Sequence, residues 1–364
     1  MTSTTFPPNN GHTFNHHTEG LEVAKAFAGQ VEGKTILVTG VNLKGLGFTT
    51  AEAFASQSPA HLIIAGRTPS KIQESINALK SKYPNVDYRI LILDLSSQKA
   101  VRTAASVLLS WADIPTLDIL VNNAAVQGIP EATLNEDGIE MHFATNHIGH
   151  FLFTNLIMPK LITSAQSNPK GATRIVNVSS LAPKWSSMRW SDINFEKVNE
   201  TLPESEQPAY AVLGLFGVKD LPKKNYFPFD GYDRSKVANL LFSIGCNARL
   251  YEKYGILSLA LHPGVIMTEL PRMATPEFMQ NVMGLIQAGF LPMRSLGAGA
   301  ATTVVAALDP KLGPGEAKNG KENWGVYLMD CQISDMAGSL AESSEEAEKL
   351  WVLSEKLVGK EFGR

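Results

Sequence analysis

The chain has 364 residues, 44% of them hydrophobic and 18% charged, a composition that excludes wholesale disorder and a coiled coil. Its 32 Lys and Arg stand against 35 Asp and Glu, a net charge of −3, which leaves no basic field to hold a nucleic acid. The two cysteines, Cys246 and Cys331, form no Cys-x-x-Cys pair and no zinc spacing, so a reducing compartment is expected.

The first residues are polar, with Pro7, Pro8, Asn9, Asn10 and Gly11 together. No basic segment followed by an apolar one marks a secretory leader, and no run reaches the roughly 18 apolar residues of a membrane span. A cytoplasmic protein with a disordered polar tail over residues 1–19 is expected. His12, His16 and His17 lie in that tail without acidic or thiol companions, so they read as solvated side chains and not as metal ligands.

From residue 20 the pattern becomes regular. Residues 20–30 carry apolar positions at helical spacing, Leu21, Ala24, Phe27 and Ala28. Residues 34–40 are a short apolar run ending in Thr-Gly, as in a buried strand. Helix over 48–56, strand over 61–67, helix over 69–82, strand over 88–95, helix to Trp111 and strand over 117–125 follow. Later come helix over 141–162, strand over 173–180, helix over 233–251, strand over 256–264, helix over 297–308 and a last strand over 325–330. Apolar strands that do not alternate, each followed by a helix, predict a parallel sheet covered on both faces. Right-handed crossovers make it a doubly wound α/β sheet. No repeat or Gly/Ser linker divides the chain, so residues 20–364 read as one domain.

Two segments break this rhythm. Residues 181–231 hold an insertion rich in aromatics and prolines, among them Trp185, Trp190, Phe216 and Phe229. Residues 266–296 hold an apolar stretch interrupted by Gly284 and Gly289. Lengths of this kind in a compact domain point to a wall and a lid over a substrate, or to a surface excursion packed on its own aromatics. Met267, Met273, Met279, Met283 and Met293 suit an adaptable lid as well as plain core packing.

After the first strand the sequence reads Thr39-Gly40-Val41-Asn42-Leu43-Lys44-Gly45-Leu46-Gly47. Glycines here let the backbone turn tightly and let a pyrophosphate approach the amides that open the next helix. About 20 residues on, where an NAD site carries an acid for the ribose hydroxyl, the chain has Arg67 and no carboxylate. A guanidinium there, with Lys44 inside the turn, suits the 2′-phosphate of NADP(H). Tyr232 and Lys236 are spaced i, i+4, one turn apart on one helix face. A tyrosine has a pKa of about 10 and is a poor base, and a neighbouring ammonium, with the positive nicotinamide of an oxidised cofactor, favours the phenolate. Lowering it by about three units takes roughly 4 kcal/mol. Ser179 and Ser180 end the strand 173–180, at the edge where such sheets bind ligands.

These residues resemble the short-chain dehydrogenase/reductase family, in its retinol-dehydrogenase-like and filamentous-fungal branches. The resemblance runs from Lys34 to Asp330. It implies a Rossmann-type fold, with Thr39, Gly40, Lys44, Gly45, Leu46 and Gly47 at the cofactor turn. One residue more than usual separates Gly40 from Gly45, so the turn is expected to bulge. By the same resemblance Asp94 contacts the adenine, Asn123 matches the Asn-Asn-Ala-Gly motif with Ala125 in place of glycine, Val265 meets the carboxamide and Thr268 the pyrophosphate. The implied catalytic tetrad is Asn146, Ser180, Tyr232 and Lys236. Asn146 would hold a relay water through the helix it bends, Ser180 orient the carbonyl, Tyr232 move the proton and Lys236 grip the ribose while acidifying the phenol. Ser179 remains an alternative to Ser180. The spacing from Ser180 to Tyr232 is longer than usual for the family, which puts the insertion beside the active site.

His142, His147 and His150 have no second ligand set and read as core or surface histidines, with no metal expected. Asp137, Glu140 and the acidic run 342–348 read as solvated helix faces. The reading is an NADP(H)-dependent oxidoreductase that interconverts a hydrophobic ketone or aldehyde with an alcohol. The fungal resemblance hints at secondary metabolism and, through the family, at a homo-oligomer. A non-redox tailoring enzyme and an NADP(H)-binding scaffold are the alternatives.

Overall fold

Along the central apolar runs, successive side chains point to opposite faces of one sheet, and both faces are covered; in the edge run, Ile90 and Ile92 are exposed. The structure, a computed structural model, describes residues 13–363. Its strands are β1 (Thr35–Thr39), β2 (His61–Gly66), β3 (Asp87–Ile92), β4 (Ile119–Asn122), β5 (Thr173–Val178), β6 (Ile256–His262), β7 (Glu316–Lys318), β8 (Lys321–Trp324), β9 (Tyr327–Met329) and β10 (Gln332–Ile333). Eight of them form a sheet in the order β3-β2-β1-β4-β5-β6-β9-β10, parallel except for β10. This is the expected doubly wound α/β arrangement. The strand order reverses at β1 and β4, which opens a crevice at their carboxyl ends.

The helices are α1 (Gly20–Ala26), α2 (Leu46–Ala55), α3 (Pro69–Lys82), α4 (Gln98–Ser110), α5 (Met141–Phe143), α6 (Gly149–Leu156), α7 (Met158–Ala165), α8 (Tyr210–Leu215), α9 (Pro228–Tyr254), α10 (Pro276–Gln287), α11 (Leu296–Leu308) and α12 (Ser344–Val358). Ile36, Val38, Leu62, Ile64 and Val176 face α1, α2, α3 and α11. Leu37, Ile63, Leu120 and Ile175 face α4, α6, α9 and α12. Period-2 side chains with both sets buried are what a sheet inside two helical layers requires.

Several expectations change. The helix predicted over 141–162 is three pieces: α5 runs into a π-helical turn over Ala144–Ile148, then α6, and Pro159 opens α7 after a break at Ile157. Proline lacks the N–H and clashes with the preceding turn, so α6 stops before it. The polar tail does not extend to residue 19. Residues 1–12, with His12, lie outside the described residues, but Phe14 is buried against Phe27 and Thr18 is buried too. The acids are also not all solvated. Glu140 is fully buried, caps α5 through Phe143 N and meets His142 Nδ1 at 2.8 Å. Glu342 is buried beside Lys321, and Glu346 accepts the Trp190 indole N–H at 2.6 Å. All three histidines of the 142–150 stretch are buried. The β7–β8 hairpin turns at Asn319 and Gly320, both at positive φ, a pairing that marks such turns in sequence.

The insertion is built on charge inside protein. Arg189 is buried and donates to Asp192 (2.6 Å) and Asn199 (2.5 Å). Arg234 of α9 donates to Asp230 (2.9 Å) and to the backbone oxygens of Ser187 and Glu206. The insertion is therefore stitched to the helix that carries Tyr232. Within 266–296, α10 lies across from it, and Asn281 Nδ2 donates to Phe216 O at 3.0 Å.

Gly149 is where α6 crosses the β3–α4 link. A Cβ there would meet Leu95 O at 2.3 Å, a backbone atom that cannot turn away. Gly149→Ala is expected to cost about 2 kcal/mol or more through overpacking. In urea titration the midpoint should fall at unchanged slope.

Candidate active site

The carboxyl ends of β1, β4, β5 and β6 open into a cavity of about 430 Å³. Its walls include the turn after β1, the end of β2 with Arg67, Asp94 and Asn123, then Ser180, Tyr232 and Lys236, and the segment from Pro263 to Thr268. Of the residues expected at the site, all but Asn146 line this one space.

The turn is shaped by close approach. Gly40 has φ +73°, and a Cβ on it would meet Ala124 Cα at 2.6 Å. A Cβ on Gly47 would meet Asn123 Nδ2 and Gly40 O, both at 2.6 Å. The extra residue is absorbed by a tight bend: Gly45 N donates to Asn42 O at 3.0 Å and Lys44 takes a left-handed φ of 60°. Gly45 begins α2 without a side-chain cap, so the first amides of the helix have no side-chain acceptor at that end. Orphan amides and the positive end of a helix dipole suit a phosphate. Lys44 and Arg67 stand exposed at the rim, without an ion pair among the described residues. Lys71, on the first turn of α3, joins them; the sequence reading passed over it. Asp94 turns one oxygen to Ser96 N and Oγ, at 3.0 and 2.6 Å. Asn123 staples the strands, its Nδ2 donating to Thr39 O at 2.8 Å. Thr268 Oγ1 accepts Leu270 N, and Val265 O accepts Arg294 N.

The two serines have different surroundings. Ser179 is buried and its hydroxyl donates to Lys236 O at 2.6 Å. Ser180 is half-buried, and its Oγ accepts Ala182 N at 3.0 Å, which leaves its proton to give. Lys236 is buried, donates to Val178 O at 2.8 Å and lies 5.6 Å from the centre of the Tyr232 ring. Asn146 sits behind them in the π-turn, bonded to Val126 N and O and to Ser235 Oγ.

The electrostatics differ from the expected acidified phenol. Burial, with the neighbouring Asp233 carboxyl adding to it, pushes the Tyr232 phenol above its usual range. Burial pushes the Lys236 ammonium down to about 7. Desolvation disfavours the charged form of both groups. Asp233 is itself pushed up to about 7, chiefly by burial; it accepts the Trp185 indole N–H at 2.9 Å. Only its position beside Tyr232 could have drawn attention to it in the sequence.

The outer part of the cavity is apolar and aromatic. Phe278 of α10 lies 4.4 Å from Phe229 and 5.7 Å from Phe216, ring centre to ring centre, with Trp185 and Val282 nearby. Lid and insertion thus meet over Tyr232. Such a space can hold a flat or bulky apolar molecule against a hydroxyl pair, Ser180 and Tyr232.

Comparison with known proteins gives a consistent result. The family model described as short chain dehydrogenase matches residues 34–192. Oxidoreductase fscI of Fusarium equiseti is 36% identical over 251 residues, 69% of this chain and 94% of its own length. Retinol dehydrogenase 14 of Mus musculus is 33% identical over 344 residues, 91% of this chain and 87% of its own. Among solved structures, an uncharacterized protein from Mycobacterium paratuberculosis superposes with a TM-score of 0.59 at 25% identity, covering 92% of this chain and 96% of that one.

The buried ammonium has a measurable consequence. The folded chain holds the Lys236 proton less tightly than the unfolded chain, so between about pH 7 and the ordinary lysine range only the unfolded state is charged there. Stability from this group therefore rises with pH across that window, by at most about 1.4 kcal/mol per pH unit. Lys236→Met is expected to be most stabilised relative to the native chain at pH 6–7, with the difference shrinking towards pH 10. Denaturant titrations at a series of pH values measure it.

Proposed function

Because the chain belongs to the short-chain dehydrogenase family, in its retinol-dehydrogenase-like branch, we propose that it is an NADP(H)-dependent carbonyl reductase for hydrophobic ketones or aldehydes. One observation carries this reading: a single cavity is lined both by the uncapped, glycine-built turn with its free cations and by Ser180, Tyr232 and Lys236.

The residues present fit a nicotinamide dinucleotide. The turn leaves no room for side chains at Gly40 and Gly47, and the amides opening α2 suit the pyrophosphate. Lys44 and Arg67 would take the 2′-phosphate, with Asp94 towards the adenine, Thr268 at the pyrophosphate and Val265 at the carboxamide. When bound, the cofactor supplies the hydride.

The chain supplies position and the proton. Ser180 Oγ would donate to the substrate carbonyl oxygen, its own acidity helped by the Ala182 N–H it accepts. Tyr232 would give its proton to that oxygen as charge develops there. A phenol held above its usual range is a weaker acid than a free tyrosine, but it is fully protonated at neutral pH and enters the reaction as the donor that reduction needs. Lys236, anchored to Val178 O, would replenish the phenol and hold the ribose. Asn146 would support the relay from behind. The phenyl cluster and Trp185 exclude water and hold the apolar body of the substrate.

Loss of NADPH absorbance with a panel of bulky ketones tests the reading. Tyr232→Phe should lower kcat about 10³-fold, within the range of lost acid catalysis, and leave nucleotide affinity near native. Product formed without nucleotide oxidation would replace this reading by a non-redox one. Arg67→Glu should raise the KM for NADPH about 10- to 100-fold and change the KM for NADH far less, since one charge-assisted pair becomes a repulsion.

A further inference from the structure

Behind the cavity, a line of buried polar groups joins the cofactor turn to the helix of Tyr232 and Lys236. Thr39 Oγ1 lies 3.0 Å from His150 Nε2, and His150 Nδ1 lies 3.1 Å from Asn146 O. Asn146 Nδ2 donates to Ser235 Oγ at 2.9 Å, and Ser235 Oγ donates to Tyr232 O at 2.6 Å. Thr39, His150, Asn146 and Ser235 are each no more than 2% exposed. Ser235 stands between Tyr232 and Lys236 in sequence.

The proton positions along this line are determined by what each group can do. Burial pushes the His150 imidazole down to about 4, so at neutral pH it carries one proton. A carbonyl only accepts, so that proton is on Nδ1 and points at Asn146 O. Nε2 is then an acceptor. The two lone pairs of the Thr39 hydroxyl are taken by the amides of Asn123 and Ala124, each at 3.0 Å, so its proton is free to go to Nε2. The alternative acceptor, Val121 O, is farther away at 3.4 Å.

We propose that His150 is a positioning residue that couples the nucleotide turn to the proton-transferring helix through Thr39, Asn146 and Ser235. It touches neither the cavity nor the reacting atoms. It fixes the π-turn carbonyl of Asn146, and through Asn146 the backbone of Tyr232, in register with the end of β1. The proposal rests on the acid–base reading of Tyr232 and Lys236.

Two measurements test it. In ¹⁵N-histidine NMR of the nucleotide-free full chain, the His150 proton is expected on Nδ1 at neutral pH; a proton on Nε2 would overturn the proposal. In steady-state kinetics, His150→Phe, of similar shape but without hydrogen bonds, should lower kcat about 10- to 100-fold and displace the pH profile of kcat. Nucleotide Kd should change less than about threefold. His150→Gln, which keeps a donor and an acceptor, should recover most of the loss, and adding Ser235→Ala to His150→Phe should lower kcat little further. Native kcat and pH profile in His150→Phe, or equal losses in Phe and Gln that follow equal falls in Tm, would reduce His150 to packing and overturn the proposal. Turnover that survives Tyr232→Phe would sink the reading it rests on instead, and leaves the NMR result standing.

Discussion

The Thr39 hydroxyl bears more of this site than any other polar group. It accepts the amides of Asn123 and Ala124 at the end of β4, and it meets His150 across the layer of α6. Those bonds bring two strands close enough that Gly40 and Gly47 must lack side chains. The reversal of strand order at β1 and β4 opens the crevice beside this contact, and the uncapped amides of α2 line it.

A second constraint is the dryness around Tyr232 and Lys236. Tyr232 and Lys236 are buried together, and each is driven towards its neutral form. At neutral pH the phenol therefore keeps its proton, while the Lys236 amine is close to evenly divided between its charged and neutral forms. The spacing i, i+4 alone suggests an ammonium acidifying a phenol; burial of both partners reverses the balance for the chain by itself. Spacing records which groups are adjacent, whereas the sign of a pKa shift depends on everything packed around them.

That distinction separates what could be read from residues and what could not. Strands β1 to β6 and the helices that cover them followed from periodicity, because both faces of a parallel sheet demand unbroken apolar runs; α8, α10, α12, β10 and the β7–β8 hairpin did not. The turn from Thr39 to Gly47, Arg67, and the pair Tyr232 and Lys236 carry their chemistry in residue type and local spacing. Ser180 could not be told from Ser179 without the carbonyl of Lys236, 57 positions away, that occupies the Ser179 hydroxyl. Glu140 and Glu346 look like solvated acids until a cap, His142 and the Trp190 indole are brought to them by the fold. The break at Ile157 and the β7–β8 turn escaped the sequence reading although Pro159 and Asn319-Gly320 are local signals for them. The π-turn around Asn146 has no such mark.

The roof over Tyr232 is assembled from Phe216 of the insertion, Phe229 of α9 and Phe278 of α10. None of these rings donates or accepts a proton, and they reside on three separate stretches of chain. On the proposed function, shape and chemistry are therefore divided between different residues: exchanging one ring for a smaller or larger side chain reshapes the space over Tyr232 and leaves the Ser180 and Tyr232 hydroxyls in place.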